Sequence, residues 1–184
     1  MRHHILRTFT GPFALIEMDD GSLRTSWMDD DVERMLRVSS LDRKLQPSIV
    51  SRLNRYFDGE VVEFNDVPTP EAAEFQRRCW EACRRIPRGK VCTYADLARA
   101  AKSPTAFRAA GQAMRRNMLP IIIPCHRVIG SGGSLHGFAG SVDADGRELS
   151  AKRALLEMEG ALADVAVLPG LSKSRKRTPA RVTA

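Results

Sequence analysis

Leu119-Pro120-Ile121-Ile122-Ile123-Pro124-Cys125-His126-Arg127-Val128 is an apolar, strand-like run that delivers a cysteine beside a histidine at its end. A cysteine attacks as its thiolate, and a thiol with an ordinary pKa of about 8.5 is mostly protonated at neutral pH, so it needs a nearby base or a positive field. His126 is the nearest base in sequence. On an extended segment neighbouring side chains point to opposite faces, whereas a turn at Pro124 lets the two converge. Two readings stand: a buried structural cysteine beside a satisfied histidine, or a nucleophile with its base.

The surrounding chain narrows the class. Its 184 residues, 43% apolar and 28% charged, suffice for one good core or two small ones. No stretch approaches the ~18 apolar residues of a membrane span, and Met1 to Ile5 lacks the apolar region of a signal peptide, so a reducing, cytoplasmic setting is expected. Cys79, Cys83, Cys92 and Cys125 are then read as thiols rather than disulfides. Cys79 and Cys83, four apart, share a helix face as small buried hydrophobes, and no metal site is expected. The net charge of +7 is uneven. Residues 1–69 carry nine Lys or Arg against twelve Asp or Glu, residues 70–170 fifteen against ten, and residues 171–184 five against none. Phosphate binding by the basic half is one reading of that asymmetry, and arginines on solvated helix faces are the other.

Apolar runs at Phe13–Met18 and Leu23–Met28 around Asp19-Asp20-Gly21-Ser22 predict a β-hairpin. Helices are expected over Asp30–Val38 and Pro47–Phe57, the second with Ile49, Leu53 and Tyr56/Phe57 on its apolar face, followed by a short strand at Val61–Phe64. Asn65–Pro70, with two prolines, reads as a boundary. Thr69-Pro70 is a helix start for a helix running to Arg85. Thr93 then caps Tyr94–Ala101, and Ser103 caps a helix from Pro104 to Arg116, an arrangement open to two readings: a helix-turn-helix or an ordinary helical hairpin. The basic tail after Gly170 has no hydrophobic pattern, and is either a weak nonspecific nucleic-acid contact or a solvated terminus.

Several separated blocks carry a resemblance: Phe75-Gln76, Trp80, Ile86-Pro87-x-Gly89, Thr93-Tyr94-x-x-Leu97-Ala98, Arg108 to Asn117, Pro124 to Gly130, Gly137-Phe138-Ala139-Gly140 and Lys152 to Gly160. Over residues 70–162 the chain resembles the O6-alkylguanine-DNA alkyltransferases, which move an alkyl group from guanine onto their own cysteine. The resemblance implies an α/β (α+β) chain. A small N-terminal α/β domain with a β-sheet, ribonuclease H-like, covers residues 1–68. A mainly helical domain, residues 69–168, holds the helix-turn-helix and the acceptor cysteine, and residues 169–184 form a tail.

It also implies roles. Cys125 accepts the alkyl group, His126 removes the thiol proton through a water, Glu159 orients the histidine, Asn117 supports the active-site turn, and Tyr94 donates to the base. Arg108 is the finger that fills the stack when the nucleotide rotates out, with Ala106, Phe107, Ala109, Gly111 and Arg115 against the DNA; a structural ion pair is the competing role for Arg108. Met114, Val128, Phe138, Ala139 and Gly140 form the pocket, Arg127 is placed in an ion pair, and Lys152 supports the site. The implied partner is double-stranded DNA containing O6-alkylguanine, possibilities extending to O4-alkylthymine, with a monomeric, single-turnover protein that uses no cofactor and no metal. Three departures stand out: Met118 in place of a proline, Phe107 in place of a smaller residue, and an insertion at Ser141–Ala151. The alternatives are a damage-binding protein that flips the base without transfer, against which the retained Cys125 speaks, and a Cys-His hydrolase, which leaves the arginine helix unexplained.

Overall fold

The computed structural model describes residues 1–135 and 147–162. β1 (Arg2–Thr8), β2 (Gly11–Glu17) and β3 (Leu23–Trp27) pair antiparallel in turn, and β4 (Ser40–Leu41) adds in parallel to β1, giving the order β3-β2-β1-β4. The expected β2–β3 hairpin is present, closed by the Met18 N–H donating to the Ser22 carbonyl at 2.8 Å, with Gly21 at φ +80°. β2 explains why the sheet is covered on both faces. Its alternate side chains separate, Phe13 and Leu15 joining the main core, Ala14 and Ile16 packing with Val32 of α1 (Asp30–Arg37). α2 (Pro47–Phe57) spans the expected residues and buries Ile49, Leu53, Tyr56 and Phe57.

The second half is helical: α3 (Glu74–Arg84), α4 (Tyr94–Ala100), α5 (Phe107–Arg115) and α6 (Arg147–Met158). Between them, β5 (Cys92–Thr93) pairs in parallel with β6 (Val128–Ile129). That pairing brings the start of α4 beside the 3-10 turn at Cys125–Arg127. One buried cluster runs from Leu6 and Phe13 through Trp80 and Met114 to Leu155, crossing the Asn65–Pro70 segment. Trp80 anchors it, its indole N–H donating to the Ala113 carbonyl at 2.9 Å, so its one polar atom is satisfied.

Four local expectations are corrected. Val61–Phe64 is not a strand: Val62 and Phe64 pack on the core, but the segment pairs with no strand of the described sheets. α3 begins at Glu74 rather than Pro70, with Ala73 extended (ψ 142°) at its N-cap; burial of Val67 sets the path of the linker and overrides the Thr69 cap. α5 begins at Phe107 rather than Pro104, because Ser103 to Ala106 close a separate turn in which the Ala106 N–H donates to the Ser103 carbonyl at 2.9 Å. The Leu119–Ile123 run is buried but bends, Ile121 standing at φ +74° and the Ile123 N–H bonding the Leu119 carbonyl at 2.7 Å. α6 starts inside the Ser141–Ala151 insertion. β1 was not anticipated, its polar Arg2-His3-His4 start hiding a strand that β2 and β4 flank.

Candidate active site

Asn117 organises the loop that carries the cysteine. Its amide N–H2 donates to the Ile123 carbonyl at 2.8 Å and to Cys125 Sγ at 3.1 Å, while its Oδ1 accepts from the Leu119 N–H at 3.0 Å. One side chain therefore spans the bend from Leu119 to Cys125 and places a donor on the sulfur. Pro124 and the 3-10 turn after it rotate His126 away from the strand direction, and the histidine is fully buried.

Around Glu159, which follows the last turn of α6, three donors converge. His126 Nε2 lies 3.0 Å from Oε1, and Arg127 grips both oxygens, Nε to Oε2 and Nη2 to Oε1 at 2.8 Å each. The Tyr56 hydroxyl donates to Oε1 at 2.8 Å and lies 3.2 Å from His126 Nε2. Burial by itself disfavours the charged carboxylate, but the bonds from His126 and Arg127 outweigh it and hold Glu159 well below the usual range. With its Nε2 proton directed at a carboxylate, His126 presents Nδ1 as the basic nitrogen, and Nδ1 has no protein partner among the described residues. Burial also lowers the His126 pKa, against the pull of Glu159, so the ring is neutral at neutral pH.

The geometry of Glu159 depends on a glycine. Gly89 stands at φ +77°, and a Cβ there would lie 3.1 Å from the Glu159 carbonyl oxygen, so a side chain at this position of the Ile86-Pro87-Arg88-Gly89 turn would strain the backbone and crowd the end of α6. Arg127 Nη1 donates to the Ile86 carbonyl at 2.7 Å, and Arg88 lies 5.6 Å from the Tyr56 ring centre.

Burial raises the Cys125 thiol pKa, and the Asn117 bond and the Lys152 charge oppose that rise. Lys152 is itself fully buried, donates to the Val128 carbonyl at 2.7 Å, and is pushed down by burial to about 8. Burial drives Cys79 up to about 11 and Cys92 to about 12, and holds Cys83 well above its ordinary value; among the described residues none of the three receives a donor like that of Asn117. Cys125 opens with Met114, Asn117 and Pro120 on a cavity of about 870 Å³ that Pro12 and Trp27 also line. A cavity of that size lies within the range of small-molecule sites. Tyr94, its hydroxyl pKa raised by burial to about 12, sits under α5 with its ring about 4 Å from the place a Gly111 side chain would take.

The structure thus brings together Cys125, His126, Glu159, Asn117, Met114 and Val128, with Arg127 and Lys152. It places Phe107, Arg108 and Ala109 apart from them, exposed on α5, with Ala106 and Gly111 half-buried beside them, while the exposed Arg115 lines the same cavity as Cys125. Phe138, Ala139 and Gly140 lie outside the described residues, as do the basic tail and part of the insertion. Tyr56 was missed. Its spacing with Ile49 and Leu53 reads as plain core, yet a tyrosine on a buried stripe must find a partner for its hydroxyl, and that requirement was the available signal. Among the described residues no group of three or more side chains could hold a metal ion, and no helix is long and apolar enough to cross a membrane.

This geometry accords with what the chain is similar to. The family described as 6-O-methylguanine DNA methyltransferase, DNA binding domain, matches residues 74–161. The constitutive methylated-DNA–protein-cysteine methyltransferase of Bacillus subtilis is 39% identical over 135 residues, 71% of this chain and 82% of that protein. That of Methanosarcina acetivorans is 42% identical over 161 residues, 87% of this chain and 99% of its own length. The chain belongs to the methylated-DNA–protein-cysteine methyltransferase family. A crystal structure of Mycobacterium tuberculosis OGT in complex with DNA superposes with a TM-score of 0.72 at 32% identity, covering 88% of this chain and 94% of that one. As a member of the methylated-DNA–protein-cysteine methyltransferase family, the protein is a DNA-repair alkyltransferase that transfers an alkyl group directly to a cysteine. The sheet followed by a mainly helical half is the architecture of that family.

Proposed function

We propose that Cys125 is the acceptor and that its substrate is O6-alkylguanine in double-stranded DNA, rotated out of the stack into the cavity beside Met114. The observation that supports this best is the Asn117 amide on Cys125 Sγ, next in sequence to a fully buried histidine paired with Glu159. The M. tuberculosis relative bound to DNA supports duplex DNA as the partner. The protein acts as a monomer on DNA inside the cell, its helical half, from residue 69, carrying both the DNA face and the acceptor.

The thiol proton passes through a water to His126 Nδ1, and Glu159 stabilises the imidazolium that forms. The thiolate, held by the Asn117 donor and the Lys152 charge, attacks the alkyl carbon. The sulfur–carbon bond forms as the carbon–O6 bond breaks, and the electron pair leaves with guanine. Tyr94 disperses the developing charge by donating to N3. The guanine takes up the proton, so a thioether on the protein and an unmodified base are the only products. Tyr56 is a positioning residue: its hydroxyl fixes the carboxylate that fixes the imidazole. The Val128 carbonyl, already accepting from Lys152, retains a second lone pair for the guanine amino group. Arg108 enters the stack in place of the rotated nucleotide.

Intact-protein mass spectrometry after mixing with a duplex containing one O6-methylguanine tests this. One methyl group per protein, mapped to Cys125 and absent in Cys125→Ser, is the expected result, with duplex binding retained by the variant. Repeated turnover, or a methyl group mapped to Cys79, Cys83 or Cys92, would overturn it.

A further inference from the structure

Phe107 is a large aromatic left 48% exposed at the first residue of α5. The other exposed aromatic among the described residues, Phe9, has a packing partner: it meets Phe57 edge-on with centroids 6.1 Å apart. The partner of the Phe107 ring is instead a charge, the Arg108 guanidinium 5.8 Å from its centre. Ala106 and Ala109 flank the pair, so the ring is the one large apolar side chain among the exposed residues of α5. Arg108, Gln112 and Arg115 follow one another at helical spacing, all exposed, with Arg116 beyond, and α5 contains no acidic residue. A flat apolar plate is therefore set in a positive field, parked against a cation that can leave it.

That combination complements duplex DNA. Apolar side chains inserted at a base step unstack it and kink the helix, and arginines beside them bind the flanking phosphates. We propose that Phe107 is a base-stacking wedge: it takes up the face of the base pair next to the damaged nucleotide, while Arg108 swings off the ring into the space that the nucleotide vacates. The two residues divide the task, Phe107 opening the step and Arg108 holding it open. This rests on the reading that α5 docks on duplex DNA. It adds that the step is opened by the aromatic ring as well as by the charge, with flexible pyrimidine–purine steps opened most readily.

The full chain and three variants, Phe107→Ala, Phe107→Trp and Arg115→Glu, are titrated with a duplex carrying O6-methylguanine beside 2-aminopurine. Phe107→Ala should bind about ten- to a hundredfold more weakly, the range that loss of one base–aromatic stack implies, with a smaller rise in 2-aminopurine emission. Phe107→Trp should bind like the parent and show tryptophan emission quenched by duplex. If Arg115→Glu weakens binding while Phe107→Ala binds and opens the step like the parent, the wedge is wrong and the docking face stands. If neither variant changes binding, the docking reading fails and takes the wedge with it. A concentration-dependent dimer that Phe107→Ala dissolves, seen by sedimentation, would assign the ring to a second copy of the chain and also overturn the proposal.

Discussion

The cluster around Glu159 and the outer face of α5 treat their charges in opposite ways. At Glu159 a buried carboxylate receives bonds from His126, Arg127 and Tyr56, contributed by the active-site turn and by α2 far away in sequence. On α5 the arginines are exposed, and its N-cap residue, Ala106, supplies no side-chain cap, although α4 next to it begins with a capping box between Thr93 and Asp96. The comparison teaches where pre-organisation is needed. On the proposed function, proton transfer demands groups fixed before substrate arrives, since each ångström of misplacement is costly, whereas an α5 face docked on DNA must rearrange to let a nucleotide out. Substitutions in the buried region should therefore lower stability and transfer from every substrate, and those at Phe107 and Arg108 on the exposed face of α5 should act only where a duplex has to be opened.

The largest effect is expected at the carboxylate. Glu159→Ala leaves the half-buried Arg127 and the buried Tyr56 hydroxyl without their shared acceptor, and breaking a buried ion pair from one side costs up to ~3–5 kcal/mol. Thermal or urea unfolding should show a loss of that order, together with loss of transfer to free O6-benzylguanine and duplex alike. A variant as stable as the parent would show that the cluster is not the rigid half of the comparison.

Methylation of Cys125 comes next. The sulfur is buried, so an added methyl group overpacks its surroundings, commonly at ~1–3 kcal/mol, and the thioether can no longer donate a proton. Fully methylated protein, freed of DNA, should unfold at a lower temperature than unreacted protein; an equal or higher midpoint would break this expectation. Arg108→Ala sharpens the contrast from the other side. As a surface change it should alter stability by no more than ~0.5 kcal/mol, yet slow transfer from duplex more than transfer from free O6-benzylguanine. Equal slowing on both substrates would place Arg108 with the chemistry.

Tyr56→Phe removes one hydroxyl and keeps the ring. A loss of ~0.5–1.5 kcal/mol in stability is expected, with a slower single-turnover rate and an altered acid limb of its pH profile, which a purely structural role would leave in place. The pH dependence of stability gives the smallest signal. His126 and Glu159 both titrate lower in the folded protein than their ordinary 6.5 and 4.5, so below those values the unfolded chain binds more protons. Their contribution is present above pH 6.5 and is lost progressively as pH falls through the two folded values. Denaturation midpoints measured from pH 7 to 4 should fall on acidification, and Glu159→Gln should flatten the lower part of that curve.

Local chemistry made much of this legible in the amino-acid sequence. Pro47 and the Ile49/Leu53 stripe marked α2 to the residue, Asp19 to Ser22 marked the hairpin, and Thr93 marked the start of α4, because each signal acts within one turn of the chain. The adjacency of Cys125 and His126 left two readings open, and the roles proposed for Asn117, Tyr94, Arg108 and Glu159 rest on the resemblance. Tertiary structure decided the rest. Thr69 and Ser103 are good caps that lost to the burial of Val67 and to a separate turn, and Val61–Phe64 has strand composition without a strand to pair with. Tyr56 joined the site only because α2 packs where Glu159 ends α6, a contact between residues 103 apart in the chain. A cap or a turn is set by neighbours whose positions the backbone itself prescribes, whereas a buried carboxylate takes its donors from whatever the packed core brings within 3 Å, and no local pattern encodes that distance.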